Sequence, residues 1–254
     1  MGDVAIISDI HANLEALDAV LADIDARPEI DAIYCLGDLV GYGPDPARVI
    51  DRVRKRTDFI LMGNHDQAVT TQPLGFSQMA AAAVRWHRQE LEPGLLAGPG
   101  TRARWAFIQA LPQQRRVHLD LFVHASPRDR LTEYILPGEI TRNPGKIDEI
   151  LALVDSHCFV GHTHMPGVFL AGPRFLSPAE MDHEYVFKPG EKAVINVSSV
   201  GQPRDRDPRA CYATLTEAGV TWHRVEYDVE ITVAKIKSIP QLDDRCGLRL
   251  LEGK

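Results

Sequence analysis

Short apolar runs alternate with segments of helical periodicity along the first two thirds of the chain. Five of these runs are rich in β-branched or aromatic residues and end at Gly, Ser or His, which is typical of buried strands. They cover residues 4–7, 33–36, 59–62, 119–123 and 158–160. Over 14–24 the apolar residues instead recur every three or four positions, which predicts a helix capped by Asn13. The alternation predicts strand–helix–strand units with right-handed crossovers.

Capping residues and composition predict further helices. Asp45-Pro46 places a cap before a proline at the first helical position, which predicts a helix to about Arg54. Helices are also predicted over 77–90, 101–111 and 146–154. The first two of these form a helical insert, about 76–112, that belongs to the same domain as the strands.

Beyond Pro166 the pattern changes to short strands separated by Pro, Gly and charged turns. These strands are predicted over 168–170, 185–187, 194–197, 211–215 and 220–227. Asp228 is predicted to cap a helix to about Ser238, and about 241–254 is a short tail that we expect to fray. Residues 1–254 are expected to form a single domain, an α/β sandwich with two sheets face to face and helices outside.

Composition narrows the class of protein. With 254 residues, 44% of them hydrophobic and 25% charged, the chain fits a soluble globular domain with a full core. No apolar stretch approaches the ~20 residues of a membrane span, and no signal peptide is present, so a cytoplasmic protein is expected. A net charge of −7 argues against general nucleic-acid or anionic-membrane binding. The four cysteines are widely spaced, so neither a disulfide nor a zinc knuckle is expected.

Side chains that bind metal ions follow every one of the five strand-like runs. These candidate ligands are Asp9, His11, Asp38, Asn64, His124, His162 and His164. Strand ends of a sheet with helices on its faces share one edge, so the ligands can gather there. Mixed oxygen and imidazole ligands suit Mn, Fe, Ni or Zn better than Mg or Ca. The sequence predicts a site for two divalent transition-metal ions.

The ligand set also predicts a reaction. Asp38 is the natural bridge, because a carboxylate has two oxygens and can hold two ions. Two divalent ions keep a net positive charge beside Asp9 and Asp38, which attracts phosphate. They can also share an activated hydroxide, so hydrolysis of a phosphate ester is expected. His65 is left free for catalysis at the phosphoryl or leaving-group oxygen, and Asp66 could hold its imidazole charged.

Candidates for substrate contact carry less specific signals. Tyr42, between two glycines, fits a tight loop as well as a surface that faces substrate. Arg128 and Arg204 follow strand-like runs and are candidates for binding phosphate, although exposed arginines are common. The remaining histidines have no such context and are interpreted as surface or core residues: His87, His118, His157, His183 and His223.

Several motifs in order resemble those of the calcineurin-like metallophosphoesterases, across residues 8–164. They are Ser8-Asp9-Ile10-His11, Gly37-Asp38, Gly63-Asn64-His65-Asp66, Val123-His124 and Gly161-His162-Thr163-His164. The resemblance implies a four-layer αββα sandwich of two mixed sheets flanked by helices, with a dinuclear site at the strand ends.

The same resemblance implies which residue does what. One ion would take Asp9, His11, Asp38 and His164, and the other would take Asp38, Asn64, His124 and His162. His65 would be the catalytic histidine, steadied by Asp66. The segment 196–201 resembles a family segment that returns near the site without supplying a ligand.

Two departures from the motifs of other members indicate which branch of this family the chain resembles. Protein phosphatases and diadenosine tetraphosphatase relatives carry arginine soon after Gly-Asp and glutamate after Asn-His, whereas this chain has Leu39 to Gly43 and Asp66 there. It looks like the small bacterial phosphodiesterases, which speaks against protein phosphatase activity.

The expected function is dinuclear hydrolysis of a small or nucleotide-like phosphodiester by a metal-bound hydroxide, with Mn favoured for assays. Phosphomonoesterase and dinucleoside polyphosphate hydrolase activities stay open within the enzyme class. From another class, a non-catalytic protein-binding scaffold is the rival hypothesis, because a retromer subunit has this fold but lacks a counterpart of His65. The physiological substrate and the oligomeric state are left open.

Overall fold

The computed structural model describes residues 2–254, and two mixed sheets form its centre. The first sheet has the order β3 (Phe59–Ile60), β2 (Ile30–Cys35), β1 (Asp3–Ile7), β11 (Ala210–Leu215), β12 (Gly219–Val225) and β9 (Glu184–Val186). Its strands β1, β2 and β3 are parallel, and the rest pair antiparallel. The five predicted strands that precede ligands are all present, although β3 is only two residues long.

The second sheet contains strands of the hairpin-rich half together with two that precede ligands. Its order is β4 (Gln114–Val117), β5 (Asp120–Val123), β6 (His157–Val160), β10 (Ala193–Asn196), β7 (Gly167–Leu170) and β8 (Arg174–Leu176). Strands β5, β6 and β10 are parallel, and the outer pairs are antiparallel. Parallel neighbours send the ends of β5 and β6 to the same edge of the sheet.

Helices cover the outer faces of both sheets. In chain order they are α1 (Leu14–Asp25), α2 (Pro46–Arg54), α3 (Asn64–Thr70), α4 (Gln78–Leu91), α5 (Pro99–Gln109), α6 (Glu139–Arg142), α7 (Pro144–Ala152), α8 (Val229–Lys237) and α9 (Arg245–Leu248). The predicted caps are in place: Asn13 accepts a hydrogen bond from the Ala16 amide, and Pro46 begins α2. Short 3₁₀ turns occupy Pro178–Met181 and Arg249–Glu252.

Alternating side chains divide the core into layers. Along β1, Val4 and Ile6 point between the sheets, whereas Ala5 and Ile7 face the helices, as the two-residue period of a strand requires. In β5, Phe122 likewise lies between the sheets, where it stacks on Phe159 with ring centroids 4.9 Å apart. The layers therefore run helix, sheet, sheet, helix, and the predicted four-layer sandwich is confirmed.

The end of the chain differs from the prediction that it frays. Residues 245–252 form α9 and a 3₁₀ turn, and Cys246 and Leu250 are buried against Tyr42 and the alanine-rich face of α4. Burial of these apolar side chains holds the segment in place. The C-terminal residues are thus part of the packed domain and lie beside the loop that carries Tyr42.

The described residues contain neither a disulfide nor a membrane-spanning helix. All four cysteines are buried and free. Within residues 2–254, no helix combines the length and the apolar character needed to cross a bilayer.

Candidate metal centre

The ends of β1, β2, β3, β5 and β6 meet at one edge, and the predicted ligands gather there. Five of these ligands have left-handed backbones, with φ between 51° and 61°: Asp9, His11, Asp38, His162 and His164. A non-glycine residue in this conformation costs on the order of 1 kcal/mol or more, so surrounding contacts must maintain it. The backbone amides of Asp9 and His11 donate to the carbonyls of Gly37 and Asp38, which locks the two loops together.

The first cluster joins the loops after β1, β2 and β6. His164 Nε2 lies 3.1 Å from Asp9 Oδ1 and 3.2 Å from His11 Nε2. His11 Nε2 lies 3.7 Å from Asp38 Oδ2. Ligands bound to one ion at about 2.1 Å are roughly 3.0–3.4 Å apart, so only small shifts would place a cation among these atoms.

The second cluster joins the loops after β2, β3, β5 and β6. Asn64 Oδ1 lies 3.1 Å from His124 Nε2 and 3.0 Å from His162 Nδ1. Asp38 Oδ2 lies 3.5 Å from His124 Nε2. Its other oxygen accepts a hydrogen bond from the His65 amide at 2.8 Å. A single oxygen of Asp38 therefore faces both clusters.

Two glycines allow these carboxylates to sit so close to the neighbouring loops. A Cβ atom on Gly63 would lie 2.0 Å from Asp38 Oδ1, and one on Gly161 would lie 2.2 Å from Asp9 Oδ2. Any side chain at either position would displace a ligand. The glycine before Asn64 and the glycine before His162 are therefore steric requirements of the site.

Each of the four histidines among the predicted ligands is oriented by a backbone carbonyl. The pairs are His11 Nδ1 with Val40 at 2.9 Å, His124 Nδ1 with Leu36 at 3.1 Å, His162 Nε2 with Thr132 at 3.2 Å, and His164 Nδ1 with Gln202 at 2.5 Å. A carbonyl only accepts, so the facing ring nitrogen carries the proton and the other nitrogen points inward. Histidines that hold metals are oriented in this way.

The inward atoms need a cation. His11 and His164 present lone pairs to each other, and the buried Asp9 Oδ1 accepts no hydrogen bond. Burial raises the pKa of Asp38, but His124 and His65 outweigh it and hold the pKa well below its ordinary value. Burial lowers the pKa of His124, yet Asp38 raises it to about 9, so this ring takes up a proton that a metal ion would displace. The residues present fit divalent cations.

His65 lies beside the clusters with its ring packed among other rings. Its centroid is 4.8 Å from that of His11, 4.8 Å from that of Tyr42 and 4.7 Å from that of Phe76. Burial is the main cause that lowers its pKa, to about 4, and Asp38 opposes the shift. His65 Nδ1 is buried without a hydrogen-bond partner among the described residues.

Asp66 does not contact the His65 imidazole, contrary to the role expected for it. Asp66 Oδ1 accepts from the amides of Leu39 and Val40 at 3.0 and 3.3 Å, and Oδ2 accepts from Gly63 at 3.0 Å. Burial raises its pKa to about 7. The expected role of holding the His65 imidazole is therefore corrected. Asp66 instead ties the loop after Asp38 to the start of α3, where the predicted ligand Asn64 lies.

The structure separates the two candidate arginines. Arg128 pairs with Glu133 and Glu149 at the surface, so the expected phosphate contact is not supported for it. Arg204 donates to Gln202 Oε1 at 2.8 Å, and its Nε is buried without a partner. Its guanidinium carbon lies 5.9 Å from the ring centroid of Tyr42, and that ring lies 4.9 Å from the ring of His11. Arg204 and Tyr42 therefore border the metal centre.

His87 is a buried core residue, one of the two interpretations given for it, and its contacts with the Tyr42 loop were not predicted. This fully buried ring accepts from the Gly41 amide at 2.8 Å, and its other nitrogen donates to the Gly43 carbonyl at 2.8 Å. It clamps the loop that carries Tyr42. The available signal was its place on the apolar face of α4, three residues after Val84 and four before Leu91.

The segment 196–201 braces the site through hydrogen bonds. Asn196 Nδ2 donates to the Gly161 carbonyl at 2.6 Å and to Thr163 Oγ1 at 2.8 Å. Ser199 Oγ donates to the Asp9 carbonyl at 2.7 Å. These bonds fix the loops on either side of the first cluster.

An apolar cavity of about 280 Å³ lies far from this chemistry, at the opposite ends of the strands. It is lined by Val4, Tyr34, Phe122 and Phe187 among others. Strands β1 and β5 begin at the cavity and end at the predicted ligands, so the length of these strands separates the cavity from the metal centre.

Comparison with known proteins agrees with the geometry. A sequence profile of calcineurin-like phosphoesterases matches residues 2–166. The uncharacterised protein MJ0912 of Methanocaldococcus jannaschii is 32% identical over 260 residues, which cover 99% of this chain and 98% of that protein. A symmetrical bis(5′-nucleosyl)-tetraphosphatase of Acidovorax sp. is 34% identical over 125 residues, which cover 47% of this chain and only 42% of that relative.

Solved structures show the same fold over the full length. A metallophosphoesterase from Sphaerobacter thermophilus superposes with a TM-score of 0.79 at 32% identity, covering 99% of this chain and 100% of the other. The hypothetical protein PH1004 of Pyrococcus horikoshii OT3 superposes with a TM-score of 0.76 at 21% identity, covering 100% and 99%, and supports the fold alone. Since the matched segment spans more than half of the chain and contains all seven predicted ligands, the chain belongs to the calcineurin-like phosphoesterase family and is a phosphoric ester hydrolase.

Proposed function

We propose that the protein hydrolyses phosphodiesters of small or nucleotide-like groups at a centre for two divalent ions. The position of Asp38 carries this proposal, because its Oδ2 lies 3.7 Å from His11 Nε2 and 3.5 Å from His124 Nε2. One carboxylate oxygen thus faces ligand atoms of both clusters. A pair of neighbouring ions can share such an oxygen.

The ions and the chain contribute different parts of the chemistry. When bound, two divalent ions activate water and neutralise phosphoryl oxygens. The chain supplies Asp9 and Asp38 as anions and orients each histidine ring through a carbonyl. It also excludes bulk water from the ligand atoms, since Asp9, Asp38 and His124 are all buried.

We assign His65 to the phosphoryl or leaving-group oxygen. A neutral imidazole offers one donor and one acceptor, and the ring of His65 lies next to the first cluster without being one of the predicted ligands. General acid–base assistance of this kind contributes typically about 10²–10⁴ in rate. Asp66 contributes by positioning the loops, not by polarising the ring.

Aromatic side chains at the centre support a nucleotide-like substrate. Tyr134 is 47% exposed, and its ring centroid lies 4.2 Å from that of His162. An exposed ring beside a phosphate site can stack on a base. The partial likeness to a bis(5′-nucleosyl)-tetraphosphatase makes hydrolysis of dinucleoside polyphosphates the second candidate function.

A protein-binding scaffold and a phosphomonoesterase are less well supported. A non-catalytic scaffold has no need of seven converging ligands and a free histidine at His65. Phosphomonoesters can use the same metal centre, so substrate comparison must separate the two ester classes.

The mixed oxygen and nitrogen ligands support Mn, Fe, Ni or Zn, with Mn²⁺ as the ion for assays. The four free, buried cysteines are compatible with a reducing compartment such as the cytoplasm.

The test measures bound metal and turnover on the same preparations. We expect about two divalent ions per chain by elemental mass spectrometry, and hydrolysis of bis(p-nitrophenyl) phosphate with added Mn²⁺. Asp38→Asn should lose metal and turnover together. His65→Ala should keep the metal and lose turnover by about 10²–10⁴.

Several outcomes would contradict the proposal. Metal-loaded protein that cleaves neither monoesters nor diesters would exclude the enzyme. Faster cleavage of p-nitrophenyl phosphate than of the diester would favour a monoesterase. An Asp38→Asn variant with unchanged metal content would exclude the shared ligand.

A further inference from the structure

Two arginines lie near the Tyr42 ring beside the metal centre. The guanidinium carbons of Arg204 and Arg249 each lie 5.9 Å from the centroid of that ring. The two guanidinium carbons are therefore at most twice this distance apart. The Tyr42 ring in turn lies 4.8 Å from the ring of His65. Two positive charges thus stand next to the catalytic histidine.

These guanidiniums differ from most arginines of the protein in having no acidic side chain as a partner. Arg128, Arg209, Arg224 and Arg245 all form ion pairs with Asp or Glu. Among residues 2–254, neither Arg204 nor Arg249 pairs with a carboxylate side chain. Arg204 donates to the side-chain oxygen of Gln202, and the Nε of Arg249 donates to the main-chain oxygen of Lys254. Within the described chain, the terminal Nη atoms of Arg249 have no acidic side chain as a partner.

Both guanidiniums are partly withdrawn from water. Arg204 Nε is buried without a partner, and Arg249 is partly buried. Burial, followed by the charge of Arg204, lowers the pKa of Arg249 below its ordinary value. Two like charges at a partly desolvated place repel, and an anion between them would relieve the repulsion.

The fold holds Arg249 at this place. Its neighbour Leu250 is buried in one cluster with Tyr42, Trp86 and Ile236. An open cleft of about 330 Å³ is lined by Arg249, Arg245 and Ser77–Met79 at the start of α4. Arg249 therefore borders open space as well as the Tyr42 ring.

We propose that Arg204 and Arg249 bind a second phosphoryl group of the substrate, adjacent to the one that is attacked, so that the preferred substrates are polyphosphate esters. The inference rests on the proposed phosphoesterase function. Planar guanidiniums match phosphate oxygens with paired hydrogen bonds. A cyclic or simple diester has one phosphoryl group and would leave this pair without a second phosphoryl group to bind. In hydrolysis of a polyphosphate ester, the P–O bond between the attacked phosphorus and the bridging oxygen breaks. The OH of water joins that phosphorus, and the other proton of water goes to the departing phosphate oxygen.

The activity test compares substrates with and without the second phosphoryl group. The ratio of kcat/KM for diadenosine tetraphosphate to that for bis(p-nitrophenyl) phosphate should fall about 10–100-fold in Arg249→Gln, which is the loss of one charge-assisted contact. Arg249→Lys should recover part of the ratio. Arg174→Gln, the same charge change at an exposed residue of β8, is the matched control and should leave the ratio unchanged.

A binding test separates this inference from the proposed function. By calorimetry on the metal-loaded protein, ADP should bind about 10-fold tighter than AMP, and Arg249→Gln should abolish the difference. Retained ADP preference without any turnover would refute the phosphoesterase function and keep the subsite. Turnover with equal ADP and AMP affinities, or an equal loss on both substrates in a folded Arg249→Gln variant, would overturn the subsite.

Discussion

The Nε2 atoms of His11 and His164 lie 3.2 Å apart, and both present lone pairs. Each ring donates its single N–H, at Nδ1, to a backbone carbonyl, that of Val40 for His11 and that of Gln202 for His164. Two lone pairs at this distance repel unless a proton or a metal ion lies between them, so the arrangement suits a cation.

Removal of divalent ions is expected to destabilise the protein, because the ions bind the folded clusters and relieve this repulsion. An ion at 100 times its Kd stabilises by about 2.7 kcal/mol, which is roughly 5–10 °C in Tm for a chain of this size. Differential scanning calorimetry with a chelator, and after return of Mn²⁺, measures the change. The Asp38→Asn variant should respond less, and identical Tm values for the native protein would contradict the expectation.

A methyl group on Gly41 is expected to displace His65. The added Cβ would lie 2.2 Å from His65 Nδ1, at a residue with φ of +97°. Gly75 is the matched control, since its φ is +78° and no atom would lie within 4 Å of its Cβ. Both alanine variants should lose about 1 kcal/mol of folding stability from the strained backbone.

Turnover should separate these two alanine variants. Gly41→Ala should lower kcat by about 10-fold or more, because small displacements of a catalytic group have large effects, whereas Gly75→Ala should not. Steady-state kinetics with a diester substrate, together with urea unfolding, checks both. Equal kcat values in Gly41→Ala and Gly75→Ala would show that His65 tolerates the contact or is not needed.

Replacement of His87 is expected to loosen the loop that carries Tyr42. His87→Ala removes hydrogen bonds to Gly41 and Gly43 and leaves a buried cavity, so it should cost about 2–4 kcal/mol of folding stability. It should also lower kcat/KM about 10-fold while the metal content stays constant. The control is His183→Ala at an exposed position. Full activity in a destabilised His87→Ala protein would limit His87 to a role in stability.

Acid pH is expected to destabilise the protein partly through His223. Burial, aided by Arg27, lowers the pKa of His223 to about 4, and Asp23 and Glu29 oppose the shift. As the pH falls below 6.5, the unfolded chain binds a proton at His223, whereas the folded protein binds it only near its lowered pKa of about 4. The contribution is therefore fully present above pH 6.5 and declines as the pH falls toward 4.

Urea unfolding at several pH values measures this effect. His223→Gln should reduce the slope of stability against pH between 6.5 and 4 by less than about 1 kcal/mol per pH unit, because the ring is partly exposed. The exposed His118→Asn change should not alter the slope. An unchanged slope in His223→Gln would mean that the ring titrates alike in both states.

The sequence was informative where chemistry and local pattern coincide. Apolar runs followed at once by Asp, Asn or His predicted both the strands and the ligands, because a parallel strand delivers its next residues to a shared edge. Asp38 could be predicted to stand between the two groups of ligand candidates, since a carboxylate can serve two ions, and its Oδ2 faces both His11 and His124. The caps at Asn13 and Pro46 are equally local and were predicted with the helices they begin.

Contacts between distant segments could not be predicted in the same way. The role of Asp66 depends on three backbone amides, two of which lie in the loop after Asp38. His87 binds Gly41 across 46 positions of the chain. Arg249 reaches Tyr42 only because the last residues pack on α4, and no periodic pattern marks so short a segment.

The left-handed backbones have a consequence for substitutions outside the site. Asp9, His11, Asp38, His162 and His164 all adopt φ between 51° and 61°, and hydrogen bonds between neighbouring loops accompany this conformation. A residue that loses such contacts can relax toward an ordinary backbone conformation, which would turn its side chain away. Changes in the surrounding loops can therefore disturb the predicted ligand atoms without replacing any of them.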